Sequence, residues 1–455
     1  MWELDIEHMT ISRRAALTRL VRALGTAAAV PALAALFPWS QRLGAETESE
    51  HEGPFITHGP IVGGATAGGV PVWVRSSQPA RFQIQAREPH ERWPGVESTS
   101  TGLHELNDFA GVIPVAGLNT ATTYEYRVLL DGKPRGSPWQ FRTLPAQGQP
   151  AAFRLAIGGD LLADMMPFTI LDQILEQRPD LLILLGDLVY SDHPRAIPPT
   201  VEAYRTKYRT NWADPSFRRL TSTVPTFMMW DDHEIVNDYD GRDEARYPAA
   251  RSALETYVTP VNPAPVRPSY LYYTFRVGDV DFFVLDTRSH RGPNGLADGP
   301  GKSMLGSVQM RDLLSWLIES RAPFKVIMSS VPMHDLGPAR VDAWSAFARE
   351  RNHLLDVIEA NSIRGVVVLS GDQHWSSLVH HDRGNIWEFN ATPLAQFVQR
   401  APAGSPSELA LAYDGSTAFG LVDIDTRAAD PSITFSIVDN AGVVRGQRRL
   451  TLSDF

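Results

Sequence analysis

No cysteine occurs among the 455 residues. That absence removes disulfides, thiolate nucleophiles and thiolate metal ligands together, so any bound metal must be held by oxygen and nitrogen. Basic clusters are also missing: past residue 50 no run of Lys and Arg stands out, and the formal charge is −10. This balance argues against a nucleic-acid surface or a polybasic membrane contact. Long hydrophobic runs are absent as well. The Ala/Leu stretch near the N-terminus extends for about fifteen residues, too few for a comfortable membrane span. Internal repeats and low-complexity tracts are not found. What remains is ordinary globular composition, 43% hydrophobic and 21% charged, at a length that predicts two domains.

Residues 1–45 read as an export signal. Arg13 and Arg14 follow Ser12 and precede the weakly hydrophobic stretch, the pattern of a twin-arginine leader; an amphipathic leader helix is the alternative. This predicts a periplasmic or secreted protein, a twin-arginine translocase as partner, and no membrane span in the mature chain. Residues 55–146 read as an all-β domain. "VPVWVRSS", "ARFQIQAR", "FAGVIPVAG", "TTYEYRVLLDG" and "SPWQFRTLP" alternate apolar and polar residues between turn signals. Their spacing predicts about seven strands in a small immunoglobulin or fibronectin III-like sandwich, serving as a lid or a packing partner. From residue 153 strands alternate with helices, at "MPFTILDQILEQRPD", "VEAYRTKYRTNWADPSFRRLTS", "SVQMRDLLSWLIES" and "RNHLLDVIEAN", before the chain ends in strands. The expected architecture for 153–455 is α/β, two stacked sheets flanked by helices.

Several of those strands end alike. "LAIGGD" stops at Asp160, "LLILLGD" at Asp187, "TFMMWDDH" at Asp232 and His233, "VIMSSVPMH" at His334, and "VVVLSGDQH" at Asp372 and His374. The C-terminal ends of sheet strands are where open α/β sheets bind ligands. Acids crowded there repel: two charges about 4 Å apart oppose each other by roughly 4 kcal/mol near a protein surface. A pair of cations would neutralise them.

In order, Asp160, "GDLVY" (186–190), "DDHE" (231–234), "VPMH" (331–334) and "GDQH" (371–374) resemble the block signature of the calcineurin-like metallophosphoesterases. Within that superfamily the chain is most similar to the PhoD-like alkaline phosphatase and phosphodiesterase group. Asp160, standing where that group usually has Cys, is closer to the purple acid phosphatases. The resemblance implies an exported phosphoesterase, hydrolysing phosphodiesters and/or phosphomonoesters by attack of a metal-bound hydroxide on phosphorus. It implies a dinuclear site in which Asp160, Asp187, Tyr190 and His374 hold one ion. Asp187 as bridge, Asp232 and His334 hold the other, and Asp372 contacts either. A phenolate from Tyr190 implies Fe³⁺; the second ion is divalent, Ca²⁺, Zn²⁺, Mn²⁺ or Fe²⁺. Asp232 and Asp372 replace the usual Asn and His, an acidic departure that favours hard cations. His233 is the expected catalytic residue, acting on the leaving group.

Other roles remain open for single residues. Tyr190 has core packing as its alternative, His233 a supporting hydrogen bond, and Asp231 the capping of the turn or the holding of a nearby cation. Arg288, His290 and Arg291 in "LDTRSHR", with Glu388 and Asn390 in "WEFNATP", are candidates to contact the substrate; a structural ion pair is the alternative for the arginines. His380 and His381 read as strand or surface residues. "LADGPGKS" has the wrong spacing and no βαβ frame for a phosphate loop, and "HEIVN" lacks a second zinc-binding His. The rival function is a cell-envelope binding protein whose phosphoesterase fold holds metal but is weakly active. A lipid diesterase is a further rival, for which the apolar loops are lacking.

Overall fold

The structure, a computed structural model, describes residues 53–243, 245–335, 341–401 and 409–455. The expected export signal lies outside these residues. Residues 53–455 form one compact unit. The first strands are β1 (Ile56–Val62), β2 (Gly69–Ser76), β3 (Ala80–Arg87), β4 (Val96–Leu103), β5 (Ala110–Ala116), β6 (Thr123–Leu130) and β7 (Lys133–Arg142). They make a three-stranded sheet, β1-β2-β5, and a four-stranded sheet, β4-β3-β6-β7. The polar, largely exposed β4 carries no clear alternation, which is why its sequence did not announce it.

Next come β8 (Ala152–Gly158), helix α1 (Ile170–Glu176), β9 (Leu181–Leu185), α2 (Val201–Trp212), α3 (Pro215–Thr221), β10 (Thr226–Met229) and α4 (Arg246–Tyr257). The remaining elements are β11 (Tyr273–Val277), β12 (Val280–Val284), α5 (Gly306–Glu319), β13 (Lys325–Ser329), α6 (Ala348–Ala360), β14 (Val366–Ser370), β15 (Ser376–His381), β16 (Ile386–Asn390), β17 (Leu409–Tyr413), β18 (Ala418–Asp425), β19 (Ser432–Asp439) and β20 (Val444–Thr451). The single helix expected over 201–222 is two. Asp214 accepts hydrogen bonds from the Ser216 and Phe217 amides at 2.9 and 3.0 Å, and Pro215 occupies the first helical position, so the chain starts a new helix there. Helix α4, with Pro248 in its first turn, was not anticipated.

These later strands form a six-stranded sheet, β10-β9-β8-β18-β19-β20, and a seven-stranded sheet, β11-β12-β13-β14-β16-β15-β17. Within them β8, β9 and β10 run parallel, as do β12, β13, β14 and β16. Strands β9, β10, β12, β13 and β14 are buried at every position, and their continuous Val, Ile, Leu and Phe runs match parallel strands covered on both faces. One buried cluster runs from Val72, Phe82 and Tyr126 through Phe227, Phe282 and Val326 to Phe435, so the N-terminal strands share a core with both larger sheets. Polar contacts reinforce that junction. Tyr126 donates its hydroxyl to the Ser222 carbonyl at 2.7 Å, and the Trp73 indole N–H reaches the Thr256 carbonyl at 2.9 Å.

Candidate metal centre

The apolar strands stop abruptly at their C-terminal ends, and there the chain turns sharply. Asp160, Asp187, Asp372 and His374 all have left-handed backbones, with φ of 62°, 53°, 71° and 58°. Asp and His tolerate this region better than most residues, and such conformations persist where the surrounding structure over-determines them. Gly186 permits one of these turns. Its φ is +105°, and a Cβ there would meet the Asp231 Cβ at 2.7 Å, so only glycine lets the β9 and β10 ends close up.

The turns bring the acids together. Asp187 shares a cluster with Asp160 and His374, a second with Asp232 and His233, and a third with Asp231, Asp232 and Asp372, potential ligand atoms lying within 4.8 Å of one another in each. Asp372 therefore falls with Asp231 and Asp232 rather than with Asp160 and His374. The Tyr190 hydroxyl stands 3.4 Å from Asp187 Oδ2, with Gln396 lining the same cleft. His334 lies outside these clusters, but its environment suits a ligand. Its Nδ1 donates to Glu388 at 3.1 Å, which leaves Nε2 as the lone-pair nitrogen, buried and without a partner.

Crowded together and buried, these carboxylates oppose one another's ionisation. Burial and the neighbouring Asp231 push Asp160 up to about 7. Burial, Asp232 and Asp231 raise Asp187 well above the carboxylate range, and burial with Asp231 and Asp342 does the same to Asp372. Asp160 Oδ2, Asp231 Oδ2 and Asp232 Oδ1 are buried without hydrogen-bond partners. Buried acceptors are rarely left so, and their convergence on Asp187 fits cations of the hard, oxygen-preferring kind.

Several supporting residues were not legible beforehand. Glu234 accepts from the backbone amides of Asp187, Leu188 and Asp231 at 3.2, 2.6 and 2.8 Å, tying the β9 turn to the β10 turn. Asp192 accepts from His233 Nδ1 at 2.8 Å and from the Asn237 amide at 2.7 Å. Burial opposes a charge on His233, but Asp232 and Asp192 outweigh it and raise the imidazole to about 9. Its ring lies against Tyr190, centroids 4.2 Å apart. The only hint of Asp192 was its place two residues past "GDLVY". Asp342 comes from a segment with no pattern at all.

Four candidates for substrate contact lie buried, each held by protein partners. Arg288 is fully buried: Nε pairs with Asp231 at 2.6 Å, and Nη1 and Nη2 bind Asp342 at 2.9 and 2.8 Å. Arg291 also binds Asp342, and donates to the Thr287 carbonyl at 3.0 Å. Buried acids nearby demand a counter-charge, and these guanidiniums supply it. Asp231 thus holds a cation, as one of its readings had it. Glu388, fully buried, accepts from the Met333 and His334 amides at 2.7 Å each, from Ser370 and from His381. Asn390 donates to the Gly371 carbonyl at 2.6 Å. Neither offers surface to a substrate. His290 is exposed, its ring beside Tyr270 in a different cleft that Tyr239 and Tyr247 also line. His380 and His381 lie on β15.

Two mixed sheets whose parallel strands deliver acids and imidazoles to one edge define the metallophosphoesterase class of fold. A PhoD-like phosphatase model matches residues 162–444, more than half of the chain, and a model for a domain of unknown function, DUF7800, matches residues 54–147. The chain belongs to the PhoD-like phosphatase family. Alkaline phosphatase D of Bacillus subtilis is 23% identical over 368 residues, 69% of this chain and 61% of that protein. Purple acid phosphatase 23 of Arabidopsis thaliana is 29% identical over 245 residues, 49% of this chain and 50% of that one. The chain thus spans between half and about three-fifths of these relatives' lengths. Among solved structures, PhoD superposes with a TM-score of 0.73 at 19% identity, covering 89% of this chain and 90% of that one. Purple acid phosphatase PPD1 of yellow lupin superposes at 0.66 and 13%, covering 88% and 74%.

Proposed function

We propose that this protein hydrolyses phosphate esters at a dinuclear metal centre. Asp160, Asp187, Tyr190 and His374 would hold one cation; Asp187, Asp232, Asp372 and His334 would hold the other, with Fe³⁺ at the Tyr190 side and a divalent ion beside it. The observation that carries this reading is Asp187, common to three acidic clusters whose buried oxygens lack partners. Bound there, cations supply charge for the phosphoryl oxygens and acidify water near neutral pH. The chain's own residues do the rest. Asp192 fixes the His233 ring through Nδ1, and Nε2 would donate a proton to the departing ester oxygen. Glu234 and Glu388 keep the ligand turns and His334 in place.

The cleft beside this centre has a volume of about 470 Å³ and is walled in part by Tyr190, His233, His374, Asn237 and Gln396. No Lys or Arg is among its described lining residues. A monoester dianion wants cationic side chains for its extra charge, and Arg288 and Arg291 are committed to Asp231 and Asp342. A diester monoanion suits such a site better. Protein purified without added metal should contain iron and a second ion, with a visible phenolate colour lost in Tyr190→Phe. With metals saturating, a bis-aryl phosphate should be hydrolysed with kcat/KM at least equal to that of the mono-aryl phosphate. Asp187→Asn should lose metal and turnover together, whereas His233→Ala should keep metal and lose turnover, most for poor leaving groups. A metal-replete protein that turns over neither ester would sink the hydrolase reading in favour of a binding protein.

We also propose that residues 55–146 form a sandwich domain of the immunoglobulin or fibronectin III kind, docked as a packing partner on a catalytic domain over 153–455. Tyr124, early in β6, accepts from the Asn119 amide at 2.8 Å, the tyrosine-corner arrangement of such sandwiches. Among the described residues none of 53–147 lines the cleft, which favours packing over a lid. Export through the twin-arginine leader completes the reading. No helix among the described residues is long and apolar enough to cross a membrane.

A further inference from the structure

The stretch "ATPLAQFVQ" leaves β16 and passes the metal centre. Its residues from Ala391 to Gln396 are buried, and then Phe397 stands 65% exposed. The loop is not loosely held. The Ala395 amide donates to the Asp160 carbonyl at 2.9 Å, the Leu162 amide returns a bond to the Ala395 carbonyl at 2.9 Å, and the Gln399 amide donates to the His374 carbonyl at 2.9 Å. Between these pins the Gln396 side-chain oxygen accepts from the Phe397 amide at 2.8 Å. The backbones of two expected ligands therefore set where Phe397 projects. It lines the same cleft as Tyr190, His233 and His374, and among the described residues its ring has no aromatic partner.

We infer that Phe397 is a specificity-determining residue, the wall of a subsite that receives a flat aromatic ester group of the substrate. This rests on the phosphoesterase reading above. What sets Phe397 apart from other exposed apolar residues is its place in the cleft beside the expected ligands, where its ring offers area that a bound apolar group can bury. A flat aromatic group fits better than an alkyl one, because offset or edge contacts with the ring add to simple area burial. With no Lys or Arg among the described lining residues, the organic half of the substrate offers the main handle for selection beyond the phosphate itself.

The test measures binding to metal-replete protein by calorimetry, using phenylphosphonate and methylphosphonate. Wild type should bind the phenyl compound roughly three- to tenfold more tightly, the range expected for one aromatic contact. Phe397→Ala should collapse that ratio to near one, with metal content, thermal stability and methylphosphonate affinity unchanged, and Phe397→Trp should preserve it. The same order should appear as a KM rather than a kcat difference for aryl esters. A phenyl preference that survives in Phe397→Ala overturns the subsite and leaves the phosphoesterase reading standing. A wild type that binds neither phosphonate yet hydrolyses a bis-aryl phosphate overturns the subsite alone, and one that does neither overturns both readings.

Discussion

Asp108 is the charged hinge-pin between the N-terminal strands and the helices beneath them, and its removal can be worked through. It follows β4 at a left-handed turn, φ 54°, and accepts from Arg75 Nη2 at 2.8 Å, Arg209 Nη1 at 2.7 Å and the Tyr257 hydroxyl. Burial by itself would raise this carboxyl; the Arg75, Tyr257 and Arg209 bonds more than offset that and hold it at about 2 instead of 3.8. At about 1.4 kcal/mol for each tenfold change in acidity, the ionised form contributes roughly 2 kcal/mol to stability. The folded value is depressed, so this contribution is complete above the unfolded value and fades as pH falls toward 2. About half of it is gone near pH 3. Asp108→Asn keeps the left-handed turn and loses the charge, so it should destabilise by roughly 2–3 kcal/mol at pH 7. Asp108→Ala should reach roughly 3–5 kcal/mol, because it also leaves the partly buried Arg75 without its ion pair and forces Ala into the left-handed region. Urea unfolding followed by tryptophan fluorescence, at pH 7 and near pH 3, reads both the size and the narrowing of the gap between wild type and Asp108→Asn. A difference below about 0.5 kcal/mol at pH 7, the scale of a solvated surface pair, would refute the reasoning. So would a gap that widens with acid. Catalytic constants should not move, since residues 53–147 do not line the cleft.

Arg288 tests the buried-charge account: Arg288→Ala leaves Asp231 and Asp342 without their shared cation and should lower stability by roughly 3–5 kcal/mol. Thermal denaturation unchanged by that substitution, with ester selectivity altered instead, would return Arg288 to a substrate role. Export is read at the leader: Arg13→Lys together with Arg14→Lys should retain the protein in the cytoplasm, and undiminished export measured by cell fractionation would remove the twin-arginine assignment.

The five acid- and imidazole-bearing blocks were legible in the chain because each is local: an apolar run that must be buried, then a polar residue where the strand can go no further. Strand-end position follows from that pattern alone, and with it the expectation that Asp160, Asp187, Asp232, His334, Asp372 and His374 share an edge. Partners were not legible, because partnership is set across the fold. Arg288 and Glu388 read as open to a substrate, since an isolated charge in a loop or strand gives no sign of what will face it. Asp342, 54 residues from Arg288, and His334, 54 from Glu388, turn both inward. Phe397 was not singled out by the sequence at all. The loop "PLAQFVQ" is pinned through backbone bonds to Asp160 and His374, and that leaves the ring in the open. Local hydrophobic pattern decides where a strand ends. Which charges are neutralised by protein, which are left for a cation, and which apolar ring stays uncovered depend on contacts between segments distant in sequence, and only tertiary packing brings those segments together.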